Sequence, residues 1–310
     1  MKMKMKKVFY ILFASLALMS CGTGKHAESA VDASASYMNL RVGSYNLWRS
    51  DLGKGEYQWD LRKEKLARAI ADIDFDIFGI QEVDTTIQRE LPSLVEKEGG
   101  DYSWFVVSPY SEDGAGSKAQ GIVYRKSRFE MLESHRFWLS PTPDVMSSGW
   151  DEMKFKRGAC CAIFRDKVSG MKFFFMMSHM PLGHEANANS APIILERAKM
   201  YNPENLPSFF AGDLNTREER PASQLFRTWW NDTFMSLPAE MKTGSTGTFN
   251  NHGLNLGKME TAPRIDFIYY RGEGIEPLHY TCDGRMDGGI FPSDHCPVYA
   301  DFRVRPQTSR

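Results

Sequence analysis

The apolar residues of this chain follow two periods that alternate from segment to segment. Residues 40–47, LRVGSYNL, have the pattern of a strand, whereas Trp59, Leu66, Ile70 and Ile73 recur at helical spacing. The two periods predict strands from 76 and at 104–107, 121–124, 128–132, 159–164, 172–178, 207–212, 265–270, 275–280 and 297–304, and helices at 58–72, 190–200 and 221–230. Strands and helices are mixed without a fixed repeat or a boundary linker, so we expect one α/β domain at 38–305.

The N-terminus predicts export and lipidation. Residues 1–20 hold several lysines and then a short apolar stretch, which indicates a signal peptide. The sequence LMSCG around Cys21 resembles a bacterial lipobox, in which the cysteine becomes the lipidated N-terminus, and residues 21–37 have the small, polar composition of a flexible tether. We therefore expect a bacterial outer membrane lipoprotein, on the periplasmic side or at the cell surface. An ordinary signal peptide with a chance cysteine is the alternative.

Cleavage of the signal changes the charge balance. The 310-residue chain has 38 lysines and arginines against 39 acids, and Lys2, Lys4, Lys6 and Lys7 leave with the signal while no acid does. The mature chain is therefore mildly acidic. A broad basic surface for nucleic acid is not expected, although a nuclease whose metal site handles the phosphate locally remains compatible.

The cysteines that remain after Cys21 are Cys160, Cys161, Cys282 and Cys296. Neighbours on a strand point to opposite faces, so Cys160 and Cys161 are not expected to bond to each other. No C-x-x-C or Cys/His cluster with zinc spacing exists. We expect buried thiols, and a disulfide to Cys282 or Cys296 in an oxidising compartment is the open alternative.

Polar residues of the kinds used in catalysis stand at the ends of several predicted strands. They are Asn46 in SYNLW, Glu82 in GIQEV, His179 in FFFMMSHMP, Asp213 and Asn215 in GDLNT, Asp266 in PRIDFIYY, and Asp294 and His295 in PSDHCPVYADF. Each alone has an ordinary explanation as a turn former, a solvated acid or a structural histidine. If these strand ends converge, they form one polar pocket framed by apolar strands.

The oxygen donors of this set suit a hard cation. Glu82, Asp294 and the amides of Asn46 and Asn215 offer incomplete protein coordination by oxygen. Mg²⁺ or Mn²⁺ fits better than zinc, because thiolates and clustered imidazoles are lacking. A metal held in this way keeps waters and takes phosphate oxygens.

The remaining residues of the set suit proton transfer. Asp266 with His295 offers an imidazole oriented by a carboxylate, and Asp213 offers a second carboxylate for activating water. Together with a cation, they predict metal-assisted hydrolysis of a phosphoester.

The blocks SYNLW, GIQEV, GDLNT, RIDFIYY and SDHCPVYADF, in this order, resemble the signature blocks of the endonuclease/exonuclease/phosphatase superfamily, which has the deoxyribonuclease-I-like fold. The resemblance covers essentially the whole mature domain. It implies an α/β (α+β) fold, a four-layer sandwich in which two mainly antiparallel β-sheets pack face to face and are flanked by helices.

The resemblance also implies a role for each residue. The implied metal ligands are Asn46, Glu82 and Asp294, and the implied catalytic residues are His179, Asp213, Asn215, Asp266 and His295. Asp213 would orient or deprotonate the attacking water. Asn215 would donate to the phosphate or hold the metal, and the spacing of two would place both side chains on the same side of one strand end.

The sequence also departs from the superfamily pattern. Secreted members commonly have His-x-Asp where this chain has His179-Met180-Pro181, and an arginine where this chain has Asn187 or Ala188. The strand RGACCAIF lacks a tryptophan that relatives often place there. Loss of an arginine near the phosphate predicts weaker binding of highly charged groups.

We expect a monomeric, divalent-metal-dependent hydrolase of phosphoester bonds, which is a phosphodiesterase, a nuclease or a phosphatase. The alternative is a non-catalytic module that binds a phosphorylated or glycan ligand in the same pocket. Retention of Glu82, Asp213 and His295 favours the enzyme. Residues 108–120, SPYSEDGAGSKAQ, predict a mobile substrate loop, with a solvated connector as the alternative.

Overall fold

The computed structural model describes residues 37–111, 116 and 118–306. Its strands are β1 (Met38–Asn46), β2 (Ile77–Val83), β3 (Tyr102–Val107), β4 (Ala119–Arg125), β5 (Phe129–Trp138), β6 (Gly158–Asp166), β7 (Lys172–His179), β8 (Ser208–Asp213), β9 (Asn231–Asp232), β10 (Lys242–Thr243), β11 (Asp266–Arg271), β12 (Ile275–Cys282) and β13 (Val298–Val304). Its α-helices are α1 (Trp59–Ile73), α2 (Thr85–Lys97), α3 (His184–Tyr201), α4 (Pro221–Phe226) and α5 (Thr233–Ser236). The predicted signal peptide and residues 21–36 of the predicted tether lie outside the described residues. None of the described helices has the length and apolar character needed to span a membrane.

The strands form two sheets. The seven-stranded sheet has the order β10-β12-β13-β1-β2-β4-β3, and the six-stranded sheet has the order β5-β6-β7-β8-β11-β9. Neighbouring strands are antiparallel except in the pairs β1/β2, β10/β12 and β7/β8. The prediction of two mainly antiparallel sheets is confirmed.

Three apolar clusters hold the layers together. The central cluster lies between the sheets and includes Val42 of β1 and Phe175 of β7. A second cluster packs the outer face of the six-stranded sheet on α3 and α4, with Phe210 and Ile194 among its members. A third packs the seven-stranded sheet on α1 and α2 around Leu66. The layers are therefore helix, sheet, sheet and helix, the predicted four-layer sandwich, and burial of both sheet faces explains the nearly continuous apolar runs of the central strands.

Helix α2 was not among the predicted elements, because Pro92 interrupts its pattern. Two signals for it are nevertheless present in the sequence. Asp84 is the N-cap, and its carboxylate accepts hydrogen bonds from two backbone N–H groups of the first turn at 3.0 and 2.9 Å. Ile87 and Leu91 lie four positions apart on its buried face.

Helix α3 begins at His184 and not at the predicted 190, so Pro192 lies in its interior. The carboxylate of Asp151 accepts hydrogen bonds from the N–H groups of Glu185 and Ala186 at 3.0 and 2.7 Å. This distant residue satisfies the first turn, which the local sequence pattern could not show. Helix α4 is shorter than the predicted 221–230.

The four described cysteines are free, buried thiols. Cys160 belongs to the central cluster and Cys161 to the cluster under α3 and α4, so these neighbours do point to opposite faces of β6. The prediction of buried thiols is confirmed, and the alternative disulfide to Cys282 or Cys296 is not formed.

Candidate active site

Three strands of the six-stranded sheet bring an imidazole and two acids into lateral register. The parallel pairing of β7 and β8 sets His179 opposite Asp213. The antiparallel pairing of β8 and β11 sets Asp266 opposite the same Asp213. Because β11 runs in the reverse direction, its first residue meets the last residues of β7 and β8. The expected convergence of strand ends is thus present in the structure.

Asp266 and His295 form a buried hydrogen-bonded pair. His295 Nδ1 donates to Asp266 Oδ2 at 2.8 Å, which leaves Nε2 at 3.8 Å from Asp213 Oδ2. Thr248 Oγ1 donates to the same oxygen of Asp266 at 2.6 Å and accepts from the N–H of Asp266 at 3.1 Å. Thr248 was not a predicted site residue. It orients the carboxylate that orients the imidazole.

Asp213 is the centre of the site, with only 1% of its surface exposed. Its Oδ2 accepts a hydrogen bond from Nδ2 of Asn46 at 3.0 Å and lies 3.4 Å from Nε2 of His179. Its Oδ1 accepts a hydrogen bond from the N–H of Asn215 at 3.0 Å. Side chains from both sheets thus fix the position of this carboxylate.

The two asparagines are held differently from the predicted arrangement. Asn46 Oδ1 accepts from the N–H of Trp48 at 3.0 Å, so both ends of this amide bind protein groups, and its role as a metal ligand stays a prediction. Strand β8 ends at Asp213, and Asn215 lies beyond it with a left-handed φ of 46°. The prediction that strand alternation places Asp213 and Asn215 on the same side of one strand end is therefore wrong. A turn closed on the Asp213 carboxylate brings Asn215 to the pocket.

Arg157 was not predicted and lies at the centre of a further network. Its Nη1 donates to Nε2 of His179 at 2.9 Å, so this nitrogen carries no proton. Its Nε donates to Oε1 of Glu152 at 2.9 Å, and Glu152 Oε2 accepts from the N–H of Gly183 at 2.8 Å. Arg157 immediately precedes β6, in the stretch RGACCAIF. An arginine is thus present at the pocket, although not at the position where relatives commonly have one.

Asn187, at the position where an arginine was expected, has a structural role. Its Nδ2 donates to the carbonyl oxygens of Pro181 and Leu214, both at 2.8 Å. These carbonyls follow β7 and β8. Asn187 therefore ties together the two loops that leave the site.

Burial and neighbouring charges move the pKa values of this site in opposite directions. Burial lowers the pKa of His295, but the carboxylates of Asp266 and Asp213 outweigh it and raise this pKa well above its usual value. Burial and the charge of Arg157 lower the pKa of His179 well below its usual value. Burial raises the pKa of Asp213 to about 7, against the opposing charge of His295. One imidazole is therefore charged at neutral pH and the other is neutral.

Glu82 and Asp294 form a second, acidic part of the site. Glu82 has a left-handed φ of 58° at a register shift of β2, a bulge that redirects its side chain into the pocket. Asp294 lines the same pocket. Burial raises the pKa of Asp294 to about 6; the charge of His295 opposes this rise and that of Glu82 adds to it. These two carboxylates therefore repel each other.

These groups open into a pocket of about 610 Å³. Six of the predicted site residues line it, and they are Glu82, His179, Asp213, Asn215, Asp294 and His295. Asn46 and Asp266 lie behind this wall and hold Asp213 and His295. Arg217 and Arg220 line the pocket beyond Asn215 and were not predicted.

The predicted substrate loop, residues 108–120, is described except at 112–115 and 117. Tyr110 Oη accepts from the N–H of Lys156 at 3.0 Å, and Lys118 Nζ lies 3.2 Å from the centroid of the Phe155 ring. Burial, together with the charge of Arg157, lowers the pKa of Lys118 to about 8. The segment thus lies beside the Arg157 network, and its contact with substrate stays a prediction.

Known proteins share this architecture and these blocks. Residues 43–295 match the model of the Endonuclease/Exonuclease/phosphatase family. The crystal structure of a family member from Bacteroides thetaiotaomicron is 26% identical with a TM-score of 0.75, over 87% of this chain and 100% of that chain. A mannosyl-6-phosphatase from the same organism is 27% identical with a TM-score of 0.73, over 85% and 99% of the two chains. An uncharacterized protein of Acanthamoeba polyphaga mimivirus is 25% identical over 256 residues, which are 79% of this chain and 92% of the viral protein. The chain therefore belongs to the endonuclease/exonuclease/phosphatase family, whose members are hydrolases that act on phosphoester bonds.

Proposed function

We propose that this protein is a divalent-metal-dependent hydrolase of phosphoester bonds at the bacterial cell envelope. One observation carries the proposal: the 2.8 Å contact between His295 and Asp266 aims the free imidazole nitrogen at Asp213, in a pocket that also holds Glu82 and Asp294. A hydrogen-bonded Asp–His pair beside a second carboxylate is costly to bury and serves proton transfer.

The residues of the acidic part fit Mg²⁺ or Mn²⁺. Glu82 and Asp294 supply carboxylate oxygens. Burial raises the pKa of Asp294 against the opposing charge of His295, so a bound cation would stabilise its ionised form. A divalent cation bound there supplies positive charge for the phosphate oxygens. Asp213, Asp266 and His295 also lie within 4.8 Å of one another, but they are joined by hydrogen bonds and we assign them to proton transfer.

The protein's own groups have distinct tasks in this proposal. Asp266 holds the Nδ1 proton of His295, so the charged imidazole presents Nε2–H to a phosphate oxygen. Asp213, with a pKa of about 7, accepts the proton of the attacking water near neutral pH. Asn46 keeps Asp213 in place from behind. The guanidinium of Arg157, beside His179, favours an anionic substrate in the pocket.

The candidate substrates are three classes of phosphoester: phosphosugars, phospholipids and nucleic acids. The likeness to a mannosyl-6-phosphatase supports the phosphosugars. The mildly acidic mature chain argues against extended contact with nucleic acid. We further propose that the enzyme is a monomeric outer membrane lipoprotein anchored through Cys21, on the periplasmic side or at the cell surface.

An activity panel tests this function. The mature chain is assayed on nucleic acids, phospholipids and phosphosugars with Mg²⁺, Mn²⁺ or EDTA, beside the variant His295→Ala. We expect hydrolysis of one class, lost both in EDTA and in the variant. Binding of a phosphorylated or glycan ligand without turnover in any metal would instead identify a non-catalytic module.

A further inference from the structure

The pocket has a basic end beyond its catalytic groups. Arg217 and Arg220 line it, follow the GDLNT block and are exposed. Among the described residues, neither guanidinium has a carboxylate or another hydrogen-bonding partner. Two exposed arginines thus line the pocket, and neither forms an ion pair with a described carboxylate.

The loop that carries these arginines is held by the acid between them. Glu218 Oε2 accepts from Nη2 of Arg264 at 2.8 Å, and Arg264 is itself paired with the buried Asp232 at 2.9 Å. The carbonyl of Glu218 also accepts from Nη1 of Arg227 at 2.7 Å. Glu218 is therefore paired with Arg264, which does not line the pocket, and not with Arg217 or Arg220.

A turn places the two arginines on the same side. The N–H of Arg220 donates to the carbonyl of Arg217 at 3.0 Å, immediately before Pro221 begins α4. Both residues line the pocket, while Glu218 and Glu219 between them do not. The turn thus keeps both arginines at the same pocket, which lowers the entropic cost of ordering this loop around a ligand.

The other charged groups of the pocket already have partners or tasks. Arg157 is bound to Glu152 and His179. Asp213 is held by Asn46 and Asn215. A planar guanidinium binds phosphate and carboxylate by paired hydrogen bonds, so the missing partner of the basic end is an anion.

We infer that Arg217 and Arg220 form a subsite for a second anionic group of the substrate. The substrate class is then a phosphoester that carries a further phosphate or carboxylate beyond the bond that is cleaved. This inference rests on the proposed function, because it names the substrate of the same site. It also reverses the expectation from sequence that highly charged groups bind weakly.

Three matched ligands test the subsite. Glucose 6-phosphate has no second anion, 6-phosphogluconate has a carboxylate, and glucose 1,6-bisphosphate has a second phosphate. Each is measured as a competitor of p-nitrophenyl phosphate hydrolysis with wild-type protein and with the double variant Arg217→Ala/Arg220→Ala. Arg165→Ala removes an exposed arginine that pairs with Glu130 in the β5/β6 pair and is the control.

We expect the double variant to raise the inhibition constant of the doubly anionic ligands roughly tenfold or more, because charge-assisted hydrogen bonds are lost. Inhibition by glucose 6-phosphate and the kcat of p-nitrophenyl phosphate should change less than about twofold. A loss confined to 6-phosphogluconate assigns the second anion as a carboxylate, and a loss confined to the bisphosphate assigns it as a phosphate. Arg217→Lys/Arg220→Lys should recover part of the affinity.

Two results overturn the inference: no change for any ligand, or an equal loss for all three. Calorimetric titration of the same ligands, with Mg²⁺ present, separates this inference from the proposed function because it needs no turnover. If the wild type hydrolyses no phosphoester, the proposed function fails. The comparison of calorimetric affinities between wild type and double variant then still decides the subsite.

Discussion

His295 Nδ1 and Asp266 Oδ2 lie 2.8 Å apart, although 29 positions separate the two residues in the chain. Asp266 begins β11, and His295 belongs to the loop before β13, where a bridge to Phe249 holds it. Thr248, which precedes Phe249 in the chain, donates a hydrogen bond to the same carboxylate of Asp266. The fold thus joins three separate segments to build one imidazole–carboxylate unit.

This unit predicts non-additive mutational effects. Asp266→Asn and His295→Ala should each lower kcat roughly 10²-fold or more. The first removes the carboxylate that orients the imidazole and stabilises its charge, and the second removes the imidazole itself. The double variant should be little worse than His295→Ala alone. Steady-state kinetics of all three measure this. Asp166→Asn is the control, since Asp166 is a buried acid that pairs with Arg128 away from the pocket. Losses that multiply would show that the two residues act independently.

The assignment of Glu82 as a metal ligand predicts that activity depends on this side chain. Glu82→Gln keeps the volume of the side chain but removes its charge, so hydrolysis should be abolished and affinity for Mg²⁺ or Mn²⁺ should fall. Calorimetric titration of the metal and activity against metal concentration measure the two effects. Glu130→Gln, at an exposed position of β5, is the matched control and should change neither. Unchanged activity of Glu82→Gln would sink the assignment of the metal ligand.

Lipidation of Cys21 predicts that the protein is bound to the membrane. Cys21→Ser removes the lipid acceptor of the predicted lipobox but leaves the folded domain unaltered. We expect the variant to move from the membrane fraction to the soluble fraction of cells, with unchanged kcat and KM. If the variant still sediments with membranes, Cys21 is not the anchor.

The sequence predicted the strand ends well because each ends in a recognisable block of apolar and polar residues. The predicted residues that line the pocket were chosen on the assumption that strand ends converge. Asn215 shows the limit of that assumption. Its place depends on a left-handed turn closed by Asp213 Oδ1, which strand periodicity does not contain.

Other parts of the site depend on contacts between segments that are distant in sequence. Thr248 acts on a residue 18 positions away, and Arg157 acts on His179, 22 positions away. Neither has a neighbouring pattern that distinguishes it from an ordinary loop threonine or surface arginine. The cap that Asp151 gives to α3 was hidden for the same reason, with partners 34 and 35 positions away.

Lys118 predicts a pH dependence of substrate affinity if the segment 108–120 contacts substrate. Burial, with the charges of Arg157 and Arg49, lowers its pKa to about 8, against the opposing effect of Glu82. Lysine is charged below its pKa, so an anionic substrate should bind well at pH 7 and KM should rise as pH increases through about 8.

Three variants of the lysines test this dependence. Lys118→Arg stays charged and should remove the inflection near pH 8, whereas Lys118→Ala should have a raised KM at every pH. Lys126→Ala, which removes a lysine paired with Asp101, is the control. KM profiles from about pH 6 to about pH 9 decide the matter. Identical profiles for wild type and Lys118→Arg would leave the segment as a solvated connector.

We predict that the metal requirement depends on Arg62, a buried residue outside the pocket. Its guanidinium is fully buried and donates to the carbonyls of Leu47, Trp48 and Arg49, and to that of Pro292 at 3.1 Å. It thereby ties the loop after β1 to the loop that carries Asp294. Burial lowers its pKa to about 10, so it is charged at neutral pH.

Arg62→Lys keeps the charge but cannot reach all four carbonyls, so Asp294 should lose its fixed position. We expect the metal concentration for half-maximal activity to rise roughly tenfold or more, as for other groups that orient metal ligands, while kcat at saturating metal falls less. Arg197→Lys is the control, since Arg197 is a buried arginine of α3 paired with Asp144. Both variants should lower the melting temperature, but only Arg62→Lys should shift the metal titration. Equal metal titrations in the two variants would mean that Arg62 stabilises the fold without positioning the ligand.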